Sequence, residues 1–111
     1  MERRDRIILQ KVLSEIEIAQ EMMDSCTVEQ FRQNEMLKRA VGMTVINIGE
    51  LDKNLSDEAR IAYAYIPWKA IAGFRDIAAH KYQTLRMEDV YNTVRMDFPA
   101  LRTMLSAILE K

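Results

Sequence analysis

Residues that turn the backbone sharply are scarce in this chain: 111 positions hold three glycines and two prolines. A many-turned β fold draws on more of both, so the shortage favours long helices joined by short loops. Cysteine is rarer still. Cys26 stands alone, which rules out an intrachain disulfide and points to a reducing compartment. Free cysteines are commonly small buried apolar residues, and Cys26 is read as one rather than as a reactive thiol. There is also one histidine, His80. One His and one Cys supply too few ligands for a structural zinc site or a dimetal carboxylate–histidine cage, so no metal and no cofactor are expected. No apolar run approaches the ~20 residues that span a bilayer. The opening Met1-Glu2-Arg3-Arg4-Asp5-Arg6 is charged and lacks the apolar stretch of a signal peptide. No membrane association is expected, and the cytoplasm is the expected location.

What is present is ordinary in bulk and patterned in detail. Half the residues are apolar, 30% are charged and the net charge is −1, so residues 1–111 read as one globular domain rather than a polyanion-binding sponge. Residues 4 to 24 place Ile8, Leu9, Val12, Leu13, Ile16, Ala19, Met22 and Met23 at spacings of three and four, one apolar stripe of a long helix. Asp24-Ser25-Cys26 interrupts it. Thr27-Val28-Glu29-Gln30 has the form of a capping box, and Phe31, Leu37, Ala40, Val41, Thr44, Val45, Ile48 and Leu51 carry a second long helix to about Lys53. Ser56 is placed to cap a short helix through Tyr63. Pro67 opens the next, which runs through Trp68, Ile71, Phe74 and Arg75 to about His80. Lys81 to Arg86 reads as loop and Met87 to Asp97 as a fifth helix. Pro99 then separates a final helix carrying Leu101, Leu105 and Ile108. The expected fold is an all-α, up-and-down bundle of five to six helices, two of them long. The wide apolar faces of the first two predict a homodimer, and the eight methionines are read chiefly as core filling.

Signatures of common chemistries are missing: no phosphate-cradling GxxxxGK[ST], no GxGxxG, no His/Cys cluster and no nucleophile elbow for a Ser-His-Asp triad. Charge is nevertheless unevenly spread. From Arg60 through Arg86 the charged residues are Arg60, Lys69, Arg75, Asp76, Lys81 and Arg86, five basic and one acidic. That is either a solvated basic surface or an anion-binding region. Within it lies Arg75-Asp76-Ile77-Ala78-Ala79-His80-Lys81-Tyr82. On a helix Asp76 and His80 share a face, so the carboxylate can orient the imidazole. Arg75 and His80 diverge by about 140° and converge only at a helix end or through a bend of the long Arg side chain. An imidazole beside a guanidinium suits RNA cleavage: His exchanges protons near neutrality, and Arg holds a phosphate and the charge of its transition state. One His does not easily serve as both acid and base, so two protomers sharing a cleft would help. The alternative is structural, with His80 capping its own helix and Arg75 in a salt bridge.

Arg75, four residues, His80 and then Lys81-Tyr82 resemble the R-X4-H-X-Y motif of the HepT-like family of HEPN domains. Three further stretches resemble the family in order: Ile48-Gly49-Glu50, Ile66-Pro67-Trp68, and Phe98-Pro99-Ala100-Leu101, the last with Phe where the family has Leu. The resemblance covers essentially the whole chain. It implies an all-α HEPN bundle, a homodimer with both motifs in a shared cleft, and a metal-independent ribonuclease that acts as the toxin of a type II toxin–antitoxin pair. The implied antitoxin is an MntA-like minimal nucleotidyltransferase that silences the toxin by transferring AMP to the motif tyrosine. Carried over, Arg75 and His80 are the catalytic pair, Asp76 and Glu50 support them, and Tyr82 accepts AMP. Lys69, Lys81 and Arg86 are candidates for contact with the RNA backbone. Trp68, opening an amphipathic helix, is read as a core anchor rather than a base-stacking platform. A second function remains open: a catalytically idle helical module that binds a nucleotidyltransferase, or nucleotide, and regulates it.

Overall fold

The computed structural model describes residues 1–80 and 86–110, with the backbone alone for Phe74 and residues 77–80. Every regular element among the described residues is helical. Helix α1, Arg3–Met22, buries Ile8, Leu9, Val12, Ile16 and Ala19, the stripe set by spacings of three and four. It closes through a turn in which Ser25 takes a left-handed φ of 59°. Helix α2, Val28–Gln33, starts with the expected capping box: Gln30 N donates to Thr27 Oγ1 at 3.1 Å, and Thr27 N donates to Gln30 Oε1 at 2.9 Å.

The second long helix does not run unbroken from the capping box to Lys53. Asn34 is extended, with φ −105° and ψ 93°, and its side chain accepts from Leu37 N at 3.0 Å, capping a separate α3, Glu35–Lys53. The break has a packing reason. Phe31 and Leu37 are six residues apart, which on one continuous helix would point them about 120° away from each other. Resetting the phase at Asn34 lets Phe31 bury completely while Val41, Val45 and Ile48 line the core face of α3.

Ser56 caps α4, Asp57–Ala62, by accepting from Ala59 N at 3.1 Å, as its position predicted. Helix α5, Trp68–His80, opens after Pro67. Trp68 is buried, and its ring N–H donates to Tyr63 O at 3.1 Å, so it is a core anchor. Helix α6, Met87–Asn92, is not separated from α7, Phe98–Leu109, by Pro99. A π turn at Thr93–Asp97 joins them, and Pro99 sits in the first turn of α7. Proline lacks an N–H for the i−4 carbonyl and its ring crowds that carbonyl; one widened turn accommodates both faults without ending the helix.

Helix α3 packs between α1 and α5, and α1 also packs on α7. Asp5, near the start of α1, bonds to Ser56 just past the end of α3, so those helices run in opposite directions. Arg102 of α7 reaches Glu17, and Arg6 reaches Leu109 O, which sets α1 and α7 antiparallel too. The expected all-α bundle is therefore what the chain forms. Core filling by methionine is divided: Met23 is buried and Met22, Met87 and Met104 pack against the core, whereas Met1, Met36, Met43 and Met96 are exposed. Branched and aromatic residues, with fewer rotatable bonds to freeze, fill most of the interior. Cys26 is half-buried, with its Sγ directed at Thr27 O.

Candidate active site

The site begins with a residue that has no side chain. Gly49 lies buried on α3, and a Cβ built there would come closer than 3.0 Å to Cβ and Cγ of Arg75 on α5. No side chain fits that gap. The missing methyl is what allows α3 and α5 to approach and lays the stem of Arg75 along α3. Ala72, three residues before Arg75, keeps the neighbouring surface of α5 low.

With its stem pinned, the Arg75 side chain is only 18% exposed, and two carboxylates hold its guanidinium. Nη2 donates to Glu50 Oε1, one residue beyond Gly49, and Nη1 donates to Asp76 Oδ1. Both partners keep substantial contact with water, at 47% and 61% exposure. The hydrogen bond from Arg75, aided by its charge, holds the Glu50 carboxyl below its usual value. The bonds to Glu50 and then Asp76 push the Arg75 guanidinium further up, so it is a permanent cation.

Beside this cluster is a cavity of about 220 Å³, walled by Gly49, Ala72, Arg75 and Asp76, by Asp52 and Lys53 at the end of α3 and by Arg60 of α4. Asp52 is 2% exposed. Its Oδ2 lies 3.6 Å from Arg60 Nη1, while Arg60 Nη2 caps the backbone carbonyl of Asp52. Burial pushes the Asp52 carboxyl up, against the pull of Arg60. Asp52 Oδ1 and Arg75 Nε are both buried and neither finds a hydrogen-bond partner among the described residues. On the other side of Glu50 a polar groove of about 370 Å³ runs between α1 and α3, lined by Lys11, Ser14, Glu15, Asn47, Glu50 and Asn54.

His80 is the last residue of α5 as described, five positions after Arg75. Its side chain, and Lys81 and Tyr82 entirely, lie outside the described residues. The structure therefore brings together Arg75, Asp76 and Glu50. Lys69 is exposed near the start of α5, about 120° round the helix from Arg75, and does not line the cavity. Arg86 is exposed at the start of α6, 3.9 Å from Glu88, and does not line it either. Asp52 and Lys53 went unnoticed as site residues, and Arg60 stood out only as part of the basic stretch. A signal did exist for Asp52: it continues the row Val41, Val45, Ile48 at helical spacing, a carboxylate on a core-facing stripe.

Comparison with known proteins identifies the family. Residues 12–108 match the family described as Ribonuclease HepT-like. A candidate RNase of Caldanaerobacter subterraneus subsp. tengcongensis is 33% identical over 96% of this chain and 95% of its own. A probable ribonuclease HepT of Thermococcus cleftensis is 28% identical over 92% of this chain and 93% of its own. A Methanocaldococcus jannaschii protein named for a gamma-glutamylcyclotransferase and a candidate RNase is 34% identical over 96% of this chain and 48% of that protein. No solved structure matches. The family match runs through α3 and α5, whose contact at Gly49 seats the motif arginine, and the chain belongs to the HepT-like ribonuclease family of the HEPN superfamily.

Proposed function

We propose that this protein is a metal-independent endoribonuclease, the toxin of a type II toxin–antitoxin pair, working in the cytoplasm as a homodimer. The observation that carries the reading is Arg75: a cation pinned by a bare helix contact and oriented by two carboxylates, on the same helix as the chain's one histidine. In the proposed reaction the His80 imidazole takes the proton of a ribose 2′-OH, whose oxygen attacks the adjacent phosphorus. The bond to the 5′ oxygen breaks, and that oxygen takes a proton from the second protomer's histidine. Arg75 neutralises the charge gathering on the phosphoryl oxygens. Asp76, the more exposed of its two partners, gives up its bond to make room for the phosphate, while Glu50 keeps the guanidinium aimed. Lys69, Lys81 and Arg86 supply positive charge along the strand.

An apolar cleft supports the dimer. Val45, Ile48, Ile71, Phe98, Leu101 and Met104 are among the residues lining about 470 Å³, with Met96 73% exposed on its wall. The proposed silencing partner is an MntA-like nucleotidyltransferase that transfers AMP to Tyr82. An adenylyl group two residues from His80 adds bulk and negative charge, and both oppose RNA entry.

One observation favours the rival reading of an idle module that binds and regulates a nucleotidyltransferase: both terminal nitrogens of Arg75 are already satisfied within the protein. Purified protein on total RNA separates the two. Cleavage that persists in EDTA and disappears in His80→Ala, with fold and dimer intact, supports the enzyme; RNA left whole by the unaltered protein supports the module. Mass spectrometry of the protein co-expressed with the nucleotidyltransferase tests AMP on Tyr82 separately.

A further inference from the structure

We propose that the cavity bounded by Asp52, Lys53, Arg60 and Arg75 is a subsite for the phosphodiester next to the scissile one in the RNA strand. The inference rests on the ribonuclease reading and adds to it a second phosphate position, in which Asp52, Lys53 and Arg60 from outside the motif join Arg75.

Size gives the first reason. At about 220 Å³ the cavity is smaller than the ~300–1,000 Å³ clefts that enclose whole small-molecule ligands, so it suits a phosphate group rather than a nucleoside. Charge gives the second. Lys53, Arg60 and Arg75 outnumber Asp52 and Asp76 on its walls, and Lys53 is exposed at the rim where a backbone would pass. The third is unmet hydrogen bonding. Arg75 Nε is a buried donor and Asp52 Oδ1 a buried polar atom, both without a partner among the described residues. Buried polar atoms left in this condition carry a cost that a bound group removes.

A phosphate meets each need. Its oxygens accept from Arg75 Nε, from Arg60 and from Lys53. The Asp52 carboxyl, which burial inclines to hold its proton, then donates to the phosphate instead of repelling it. Arg75 becomes the hinge between two phosphate positions: Nε serves the cavity, and its terminal nitrogens serve the scissile group once Asp76 releases one. Consecutive contacts of this kind fix the register of a strand without reading its sequence.

The test uses an oligoribonucleotide that the unaltered protein cuts at one mapped linkage. Binding is read by fluorescence anisotropy in the His80→Ala background, so the strand stays whole. A neutral methylphosphonate replaces the linkage on either side of the mapped one, in separate oligonucleotides. At one of the two positions it should weaken binding and lower the slope of log K against log salt by about 0.7, the value for one phosphate contact on a single strand. The same replacement should have a smaller effect in His80→Ala/Lys53→Gln, where an exposed rim charge is lost without disturbing the core. The effect should likewise shrink in His80→Ala/Asp52→Asn/Arg60→Gln, which replaces two of the polar groups facing the phosphate while leaving no buried ion unpaired. Full sensitivity to both methylphosphonates in both variants overturns the subsite while leaving the ribonuclease standing. If the unaltered protein cuts no RNA, the underlying reading fails and takes the subsite with it.

Discussion

The stem of Arg75 lies against the bare Cα of Gly49, a contact between α5 and α3 with no room for even one methyl group. The position of the guanidinium follows from that contact, because Glu50, the next residue along α3, is then within reach of its Nη2. A glycine inside a helix normally weakens it, so its presence here reflects the approach it permits.

Gly49→Ala puts this to a test with two opposed terms. Alanine strengthens a helix interior by roughly 1 kcal/mol relative to glycine. Forcing an added carbon against a packed neighbour costs about 1–3 kcal/mol. The overlap involves the root of the Arg75 side chain, which cannot swing clear, so the second term should win. A lowered midpoint in urea unfolding and a loss of RNA cleavage are the expected results; a raised midpoint would contradict the packing described here.

Glu50→Gln should alter the pH dependence of stability. The folded-state pKa of Glu50 is held below 4.5 by Arg75, so its contribution is present above that value and is lost as pH falls through the folded-state pKa. Unaltered protein should therefore exceed Glu50→Gln in stability at neutral pH, with the difference closing in acid. Unfolding curves from pH 7 down to about pH 3 measure it. A difference that stays constant over this range would mean that the Arg75 bond does not depend on charge.

Asp52 predicts the opposite slope. Its folded-state pKa is raised above 3.8 by burial, so the folded protein holds a proton that the unfolded chain has released. Stability relative to Asp52→Asn should therefore fall as pH rises from 3.8 through the folded-state value. Parallel stability curves for the two proteins across that window would show that Arg60 fully offsets the burial.

Asp5 ties the start of α1 to the region beyond α3. Its carboxylate accepts from Ser56 N at 3.0 Å and from Ser56 Oγ at 2.6 Å, and it is nearly inaccessible to solvent. The hydroxyl bond, more than the backbone one, sets its pKa below 3.8, so its stabilisation is present above that pH and is lost in acid. Asp5→Ala removes the acceptor of two partly buried donors and should cost about 1–3 kcal/mol at neutral pH. Thermal unfolding at pH 7 checks the loss, which Asp5→Asn should reduce by keeping one acceptor oxygen.

Much of this architecture could be read from spacing. The α1 stripe, the Thr27/Gln30 capping box, the Ser56 cap and the helix opened by Pro67 depend on neighbours within a turn or two, and each formed where its residues indicated. The errors came where a distant partner chose between two local options. Asn34 is compatible with a helix interior or a cap, and the need to bury Phe31 in the same core as Val41 selects the cap. Pro99 is compatible with a break or a widened turn, and continuous burial of Val90, Val94, Phe98 and Leu101 selects the turn.

The candidate site divides in the same way. Which residues are candidates for chemistry was legible, because Arg75, Asp76 and His80 lie within one short stretch and their functional groups are set by residue type. Helical periodicity is a local property, and the order of the chain alone determined where the helices lie and which faces are apolar. Tertiary structure decided that Gly49 meets Arg75, that Glu50 rather than solvent receives its guanidinium, and that Asp52, Lys53 and Arg60 join it around a cavity. Those contacts cross between separate helices, and their existence depends on interhelical distances set by the packed core as a whole.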